Sequence, residues 1–224
     1  MEICTNCIQP NTRPGIYFNE EGVCGACLWG KEKNKIDWDL RCKELQDIAL
    51  WAKKNSKGDY DCTIGVSGGK DSTKQAITAR DKLDLNCLLV NCEPENITDI
   101  GRKNIENLKN LGFDVVTIRP NPNVMKRLIR YDFFEHLNPV KATEFALYSS
   151  TYIIAEKFKI PLIIQGETQV LTLGTRLISA GQVQDALNVD QNMRTLSQGC
   201  QEYLNVDGIK KRDLFLFRYN KENL

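Results

Sequence analysis

Residues 62–72 of the chain, CTIGVSGGKDS, decide how its central part folds. The first five residues form a short, mainly apolar strand pattern, and Ser72 opens a helical pattern that runs to Leu83. Between them, Gly68 and Gly69 let the backbone amides turn toward a ligand. The N-terminus of the following helix adds unpaired N–H groups and the positive end of its dipole, which together favour phosphate. The pattern therefore predicts an anion-binding loop over 66–72.

This loop differs from two other phosphate-binding loops. Lys70 is followed by Asp71 rather than by Ser or Thr, and the spaced first glycine of a Walker A loop is missing. The G-x-G-x-x-G spacing is absent as well. The alternative is an ordinary Gly-Gly turn in which Ser72 caps the helix. The ligand loop is favoured because the preceding strand, the following helix and all six residues of 67–72 occur together.

The segments after the loop alternate between helix and strand patterns. Helices are predicted over 72–83, 98–111, 123–137 and 142–158, and strands over 62–66, 86–92, 115–118 and 161–165. The strands are continuous apolar runs, which is typical of a parallel sheet covered by helices on both faces. The predicted fold class is therefore α/β.

By pattern the chain divides into four parts. We predict an N-terminal metal-binding module at 1–35, a helix and linker at 36–61, the sheet domain at 62–180 and a helical segment at 181–224. Residues 214–217 also fit a short strand.

The composition is that of an ordinary globular protein. The 224 residues are 42% hydrophobic and 26% charged, and their net charge is +1. This composition excludes disordered and fibrous proteins. A net charge this small produces no overall electrostatic attraction to nucleic acid or an anionic bilayer. The apolar stretch 160–165 is too short to span a membrane, and 1–10 has no leader pattern. We expect a soluble, cytoplasmic protein without membrane insertion.

Four of the nine cysteines form two closely spaced pairs, Cys4-x2-Cys7 and Cys24-x2-Cys27. The segment that carries them has no regular apolar period, so something other than burial must stabilise it. Four thiolates suit a tetrahedral zinc or iron site, and zinc is favoured because the segment shows no redox partner. Two disulfides or free thiols are the alternative, which a cytoplasmic setting disfavours. The other five are predicted to be buried apolar fillers: Cys42, Cys62, Cys87, Cys92 and Cys200.

The motif Ser-Gly-Gly-x-Asp-Ser after a first strand resembles the pyrophosphate loop (PP-loop) of the N-type ATP pyrophosphatases. That resemblance implies a Rossmann-like doubly wound parallel sheet. Further matching segments are 4–7 (CTNC), 11–15 (NTRPG), 18–24 (FNEEGVC), Cys27, 36–38 (IDW), 166–167 (GE) and 171–174 (LTLG). They narrow the resemblance to the N-acetyl sugar amidotransferases of bacterial surface-sugar pathways, such as lipopolysaccharide O-antigen and pseudaminic or legionaminic acid biosynthesis. Members of that family are longer, which implies a short variant or a missing C-terminal substrate-binding portion.

The resemblance implies an ATP-dependent reaction in which an N-acetyl oxygen attacks the α-phosphate and ammonia then displaces AMP. Lys70 is the candidate for stabilising the phosphate charge. Asp71 and Glu167, at the ends of two parallel strands, are candidate catalytic ligands of Mg²⁺. A solvated loop carboxylate is the alternative for Glu167. The predicted nucleotide contacts are Val66, Ser67, Gly68, Gly69, Lys70, Asp71, Ser72 and Gly166.

His136 is the chain's only histidine. It lies on a predicted helix surface, where a structural role is commoner than a catalytic one. We therefore expect no glutaminase in this chain. The resemblance implies that a separate glutaminase supplies ammonia through a cyclase-like channel subunit.

Two other functions stay open. PP-loop tRNA thiolases also combine zinc-binding cysteine pairs with this loop. Such an enzyme would carry a catalytic CxxC, a third cysteine after the loop and a basic surface. Cys87 and Cys92 form no CxxC and the net charge is +1, so we expect no nucleic-acid partner. The third function is a non-catalytic nucleotide-binding subunit.

Overall fold

The computed structural model describes residues 1–12, 16–166 and 200–218. These residues form two compact units, Met1–Lys43 and Glu44–Gly166 with 200–218. The first unit contains α1 (Gly25–Glu32), a short 3₁₀ helix (Lys33–Lys35) and the start of α2 (Trp38–Asn55). Glu167 and the other predictions between 167 and 199 lie outside the described residues.

The second unit alternates strands and helices in the predicted order, and their ends lie within two residues of the predicted ones. The elements are β1 (Cys62–Gly65), α3 (Lys70–Asp81), β2 (Cys87–Cys92), α4 (Asp99–Asn110), β3 (Asp114–Ile118), α5 (Pro122–His136), α6 (Lys141–Phe158) and β4 (Leu162–Ile164). Two 3₁₀ helices follow at Gln201–Asn205 and Lys211–Phe217.

Within the described residues, the four strands form one parallel sheet in the order β3-β2-β1-β4. Cys62 of β1 pairs with Cys87 on one side and with Leu162 on the other. Because parallel neighbours need a crossover, helices separate the strands along the chain. The predicted α/β fold with a parallel sheet is confirmed.

Helices cover the sheet on both faces, as alternate side chains of β2 show. Leu89 packs with residues of α3 and α4 on one face, and Leu88 packs with residues of α6 on the other. Both leucines are no more than 2% exposed. Burying a side chain of this size contributes about 1.5–3 kcal/mol. The sheet is therefore doubly wound.

Two predictions from the sequence were wrong. Residues 214–217 are 3₁₀-helical, because Leu214 and Phe217, three residues apart, share a face that is buried in the core. Cys42 is exposed rather than buried, since burial on α2 is confined to Ala49 and Ala52. The N-terminal segment, whose residues showed no period long enough to build a core, also contains the helix α1. No helix among the described residues is long and apolar enough to cross a membrane.

Candidate functional site

The loop over 66–72 connects β1 to α3 at the carboxyl edge of the sheet. β2 and β3 lie on one side of β1 and β4 on the other, so the order of the strands reverses between β1 and β4. Ligands of open parallel sheets bind outside the carboxyl ends of the strands at such a switch point. The pairing of Ile64 with Ile164 brings Gly166, which follows β4, to the same edge. A Cβ on Gly166 would lie 3.6 Å from Oε1 of Gln75 on α3.

Gly68 is the position in the loop where glycine is required. Its φ is +74°, a left-handed conformation that side chains disfavour. A Cβ there would lie 2.8 Å from Cβ of Asn104 and 3.0 Å from its carbonyl carbon. The loop therefore packs directly against the backbone of α4, and this contact fixes its course.

Two hydrogen bonds hold Val66 at the start of the loop. Its backbone N–H donates to the carbonyl oxygen of Val90 at 2.9 Å, which extends the pairing of β1 with β2. Nδ2 of the buried Asn91 donates to the carbonyl oxygen of Val66 at 3.0 Å. Within the loop, Gly69 N–H donates to Oγ of Ser67 at 3.3 Å. The loop backbone is therefore held before any ligand binds.

Ser72 does not cap α3. The N-cap is Gly69, and no described side chain caps this end of the helix. Oγ of Ser72 instead donates to the carbonyl oxygen of Gly69 at 3.3 Å. The N–H of Thr73 also donates to that oxygen, and the N–H groups before it have no acceptor within the helix. An anion at this helix end would meet these donors and the positive end of the dipole. Ser72 is therefore not the cap, and anion binding by the loop stays a prediction.

Lys70 and Asp71 begin α3 with their side chains in solvent. Nζ of Lys70 lies 3.1 Å from Oδ1 and 3.2 Å from Oδ2 of Asp71, and the side chains are 89% and 81% exposed. Such an exposed ion pair contributes little to stability. Both groups can therefore turn toward a ligand at small cost.

The described residues offer one of the two predicted magnesium ligands. Mg²⁺ keeps several waters and takes one or two carboxylates together with substrate phosphates. The exposed carboxylate of Asp71 at the end of the loop fits that role. No group of three metal-binding side chains in the described chain contains Asp71, and Glu167 lies outside the described part. The pair of Asp71 and Glu167 therefore stays a prediction.

The sequence did not point to the side chains that shape the loop. Asn91 could have been found from the sequence, since it is a polar residue within the apolar run 86–92 and near the carboxyl end of that run. Nothing in the sequence pattern indicated Asn104 or Gln75. Their contacts with the glycines depend on how α4 and α3 pack on the sheet.

A cavity of about 470 Å³ lies near the carboxyl ends of β2 and β3, where it is lined by Glu95 and Pro122. Phe133 and Phe134 form part of a mainly apolar wall. No residue of the loop lines it. The charged residues Lys126 and Arg130 line it as well.

The four N-terminal cysteines converge in the first unit. Their sulfur atoms all lie within 4.8 Å of one another, and those of Cys7 and Cys24 are 3.8 Å apart. In a tetrahedral site with Zn–S bonds of about 2.3 Å, the sulfurs are about 3.8 Å apart. Cys4 and Cys24 are buried, and Cys27 lies in the first turn of α1. The spacing therefore fits a zinc ion.

The pKa values of two of the four thiols are shifted in opposite directions. Burial acts to raise the pKa of Cys4, but backbone N–H groups of Cys24, Asn6 and Cys7 donate to its sulfur and lower the pKa to about 6. The N–H of Gln9 acts to lower the pKa of Cys7, yet the neighbouring thiols and burial raise it to about 12. Thiolates repel one another at this spacing, and a bound cation removes the repulsion.

No family model and no curated protein matches the chain. Among solved structures it is similar to NMN synthetase from Francisella tularensis, with 20% identity over 55% of this chain and 53% of that one and a TM-score of 0.41. The match thus spans about half of the Francisella chain.

The chain is also similar to an NH3-dependent NAD synthetase from Campylobacter jejuni in complex with nitrate. The identity is 13% over 81% of this chain and 92% of that one, with a TM-score of 0.44. A predicted tRNA methyltransferase subunit from Methanocaldococcus jannaschii shows 21% identity over 56% of this chain and 60% of that one, with a TM-score of 0.35. At these values the likeness assigns no substrate or activity to this chain.

Proposed function

We propose that the chain binds ATP at the loop over 66–72 and transfers its adenylyl group to a carbonyl oxygen, with release of pyrophosphate. The observation that carries the proposal is the place of this loop. It lies at the switch point of a parallel sheet, turns on a glycine packed against α4 and leads into a helix end with free N–H groups. A polyphosphate is the ligand that this set of donors favours.

The predicted site residues other than Ser72 each have a role in this reaction. The loop backbone from Val66 to Gly69 binds the phosphates that leave, and Gly166 leaves room beside it at the end of β4. The ammonium group of Lys70 turns from Asp71 to the phosphates as negative charge builds up on them. A magnesium ion, when bound through Asp71 and Glu167, would neutralise part of that charge.

We propose that the acceptor is the N-acetyl group of a bacterial surface sugar. An amide carbon is a poor electrophile because its oxygen is a poor leaving group. The acetyl oxygen forms a bond to the α-phosphorus as the bond to pyrophosphate breaks. Ammonia then adds to the acetyl carbon and loses protons to solvent. The C–O bond breaks, AMP leaves and an acetamidino group results. The resemblance of 4–7, 18–24 and 36–38 to the N-acetyl sugar amidotransferases supports this acceptor.

Ammonia comes from a separate glutaminase and a cyclase-like channel subunit in this proposal. The only histidine, His136, lies with Nε2 3.1 Å from Oε2 of Glu202. The four N-terminal cysteines hold a structural zinc ion, since four thiolates leave no open position for substrate.

The path of the acetyl oxygen tests the proposal. Nucleotide-linked N-acetyl sugars labelled with heavy oxygen in the acetyl group are incubated with the protein, ATP, Mg²⁺ and an ammonium salt. Mass spectrometry should find the heavy oxygen in AMP and an NH group in its place on the sugar. Heavy oxygen retained on the sugar while AMP forms would overturn the acceptor. AMP release that only tRNA elicits would favour the thiolase instead.

A further inference from the structure

A second group of metal-binding side chains lies between α5 and the C-terminal segment. Asp132 and His136 belong to α5, and Glu202 belongs to the 3₁₀ helix Gln201–Asn205. One ligand atom from each residue lies within 4.8 Å of the other two. Asp132 and His136 are four residues apart and therefore share a helix face, the spacing at which a helix presents two ligands to one ion.

The carboxylate of Asp132 is fully buried and has one oxygen without a partner. Its Oδ2 accepts hydrogen bonds from the hydroxyl of Tyr203 at 2.7 Å and from the N–H of Ala142 at 3.0 Å. Its Oδ1 is also buried, and no donor among the described residues contacts it. A buried carboxylate oxygen without a donor is unfavourable, and a cation removes that penalty. Two fixed donors on the other oxygen are what orients a carboxylate metal ligand.

The other two side chains leave the cluster open to solvent and negatively charged. Oε2 of Glu202 lies 3.1 Å from Nε2 of His136, close to the about 3.3 Å between ligands that are each about 2.0 Å from one tetrahedral ion. Oε1 of Glu202 binds Nζ of Lys141, which neutralises one of the two carboxylates. The side chains of His136 and Glu202 are 34% and 29% exposed, so an ion can enter from solvent.

We propose that Asp132, His136 and Glu202 bind a divalent transition-metal ion, with Zn²⁺ as the representative and water as the fourth ligand. An imidazole with two carboxylates suits zinc better than Mg²⁺ or Ca²⁺, which prefer oxygen ligands alone. The ion joins the segment 200–218 to α5, next to the core where Tyr203 and Phe217 pack with α5 and α6. This site is separate from the cysteine cluster and does not depend on the proposed function.

Zinc titration of the full chain tests this site. The reduced protein, free of any histidine tag, is treated with chelator, dialysed and titrated with Zn²⁺. We expect two equivalents, the first at the four cysteines and the second at this site. Because His136 is the only histidine, its imidazole NMR resonances report on the site directly and should shift with the second equivalent. With Co²⁺, only the first equivalent should produce thiolate charge-transfer absorption.

Substitutions locate the second equivalent. Asp132→Asn, His136→Gln and Glu202→Gln should each weaken its binding at least about tenfold. Glu135→Gln removes an exposed carboxylate beside His136 without removing a ligand and should bind two equivalents. Imidazole resonances that stay unshifted at every ratio of Zn²⁺ to unmodified chain would overturn the proposal. A second equivalent that survives all three ligand substitutions would also overturn it. If those variants fail to fold, the histidine resonances of the unmodified chain decide.

Discussion

Gly68 and Asn104 are in direct contact across the interface between the loop and α4, because a Cβ on Gly68 would lie only 2.8 Å from Cβ of Asn104. The backbone of α4 is close as well, with Ile105 N 3.1 Å from the same point. Moving either the helix backbone or the loop to relieve this contact would cost free energy. The course of the proposed ATP-binding loop is therefore set by a helix that contributes no residue to the motif.

Gly68→Ala should lower the free energy of unfolding by about 1–3 kcal/mol, from the strained φ and the contact with α4 together. Urea denaturation measures this loss. Gly112→Ala is the matched control, because Gly112 has a φ of +84° but open space around its Cβ position. The free energy of unfolding of this control should fall by about 1 kcal/mol, from the backbone strain alone. Equal losses in the two variants would show that the contact with Asn104 does not constrain the loop.

Asn91→Ala should destabilise the protein by about 1–3 kcal/mol, because it leaves the carbonyl oxygen of Val66 without its buried donor. Chemical denaturation measures the loss, and binding of ATP should weaken in parallel because Val66 begins the loop. Asn96→Ala, at an exposed position, should stay within about 0.5 kcal/mol of the unmodified chain. A loss of stability in Asn91→Ala no larger than in Asn96→Ala would show that the hydrogen bond from Asn91 to Val66 does not hold the loop.

Lys70→Met should reduce AMP-forming turnover by about 10²–10³-fold, as loss of a charged donor at developing phosphate charge does. The melting temperature should not change, since the side chain is 89% exposed. Lys74→Met, one turn further along α3 and also exposed, is the control and should keep full turnover. Comparable turnover in the two variants would remove Lys70 from the catalytic set.

The zinc ion at the four N-terminal cysteines can be tested by comparing two exposed thiols. Cys7 and Cys42 are both exposed, so without metal both should react with an alkylating reagent, Cys7 more slowly because its raised pKa leaves little thiolate. With zinc bound, Cys42 should react while Cys7 stays protected until a chelator is added. The buried Cys62 and Cys87 should stay unreacted in both conditions. Mass spectrometry of alkylated peptides follows each site. A rate for Cys7 that does not rise on chelation would contradict the zinc site.

The sequence predicted the sheet and its helices because their apolar periods are local properties. The run over 86–92 and the spacing of apolar residues in 98–111 needed no knowledge of the rest of the fold. The same local pattern failed at 214–217, where an apolar run fits a strand but its burial repeats every three residues.

For the candidate site, the sequence supplied the loop motif and the four cysteines but none of the contacts around them. The contact of Gly68 with Asn104 and the grouping of Asp132 with Glu202 join residues far apart in the chain. Such contacts follow from helix packing, which no single segment encodes. The predicted role of Glu167 as a magnesium ligand is supported by the sequence motif alone.

The products of ATP cleavage test the central claim most directly. The isolated chain is incubated with ATP, Mg²⁺, a nucleotide-linked N-acetyl sugar and either ammonium or glutamine, and the nucleotides and phosphates are separated. The account predicts AMP and pyrophosphate with ammonium, and almost none with glutamine alone because no glutaminase is present. ADP and inorganic phosphate as products, or glutamine as effective as ammonium, would contradict it.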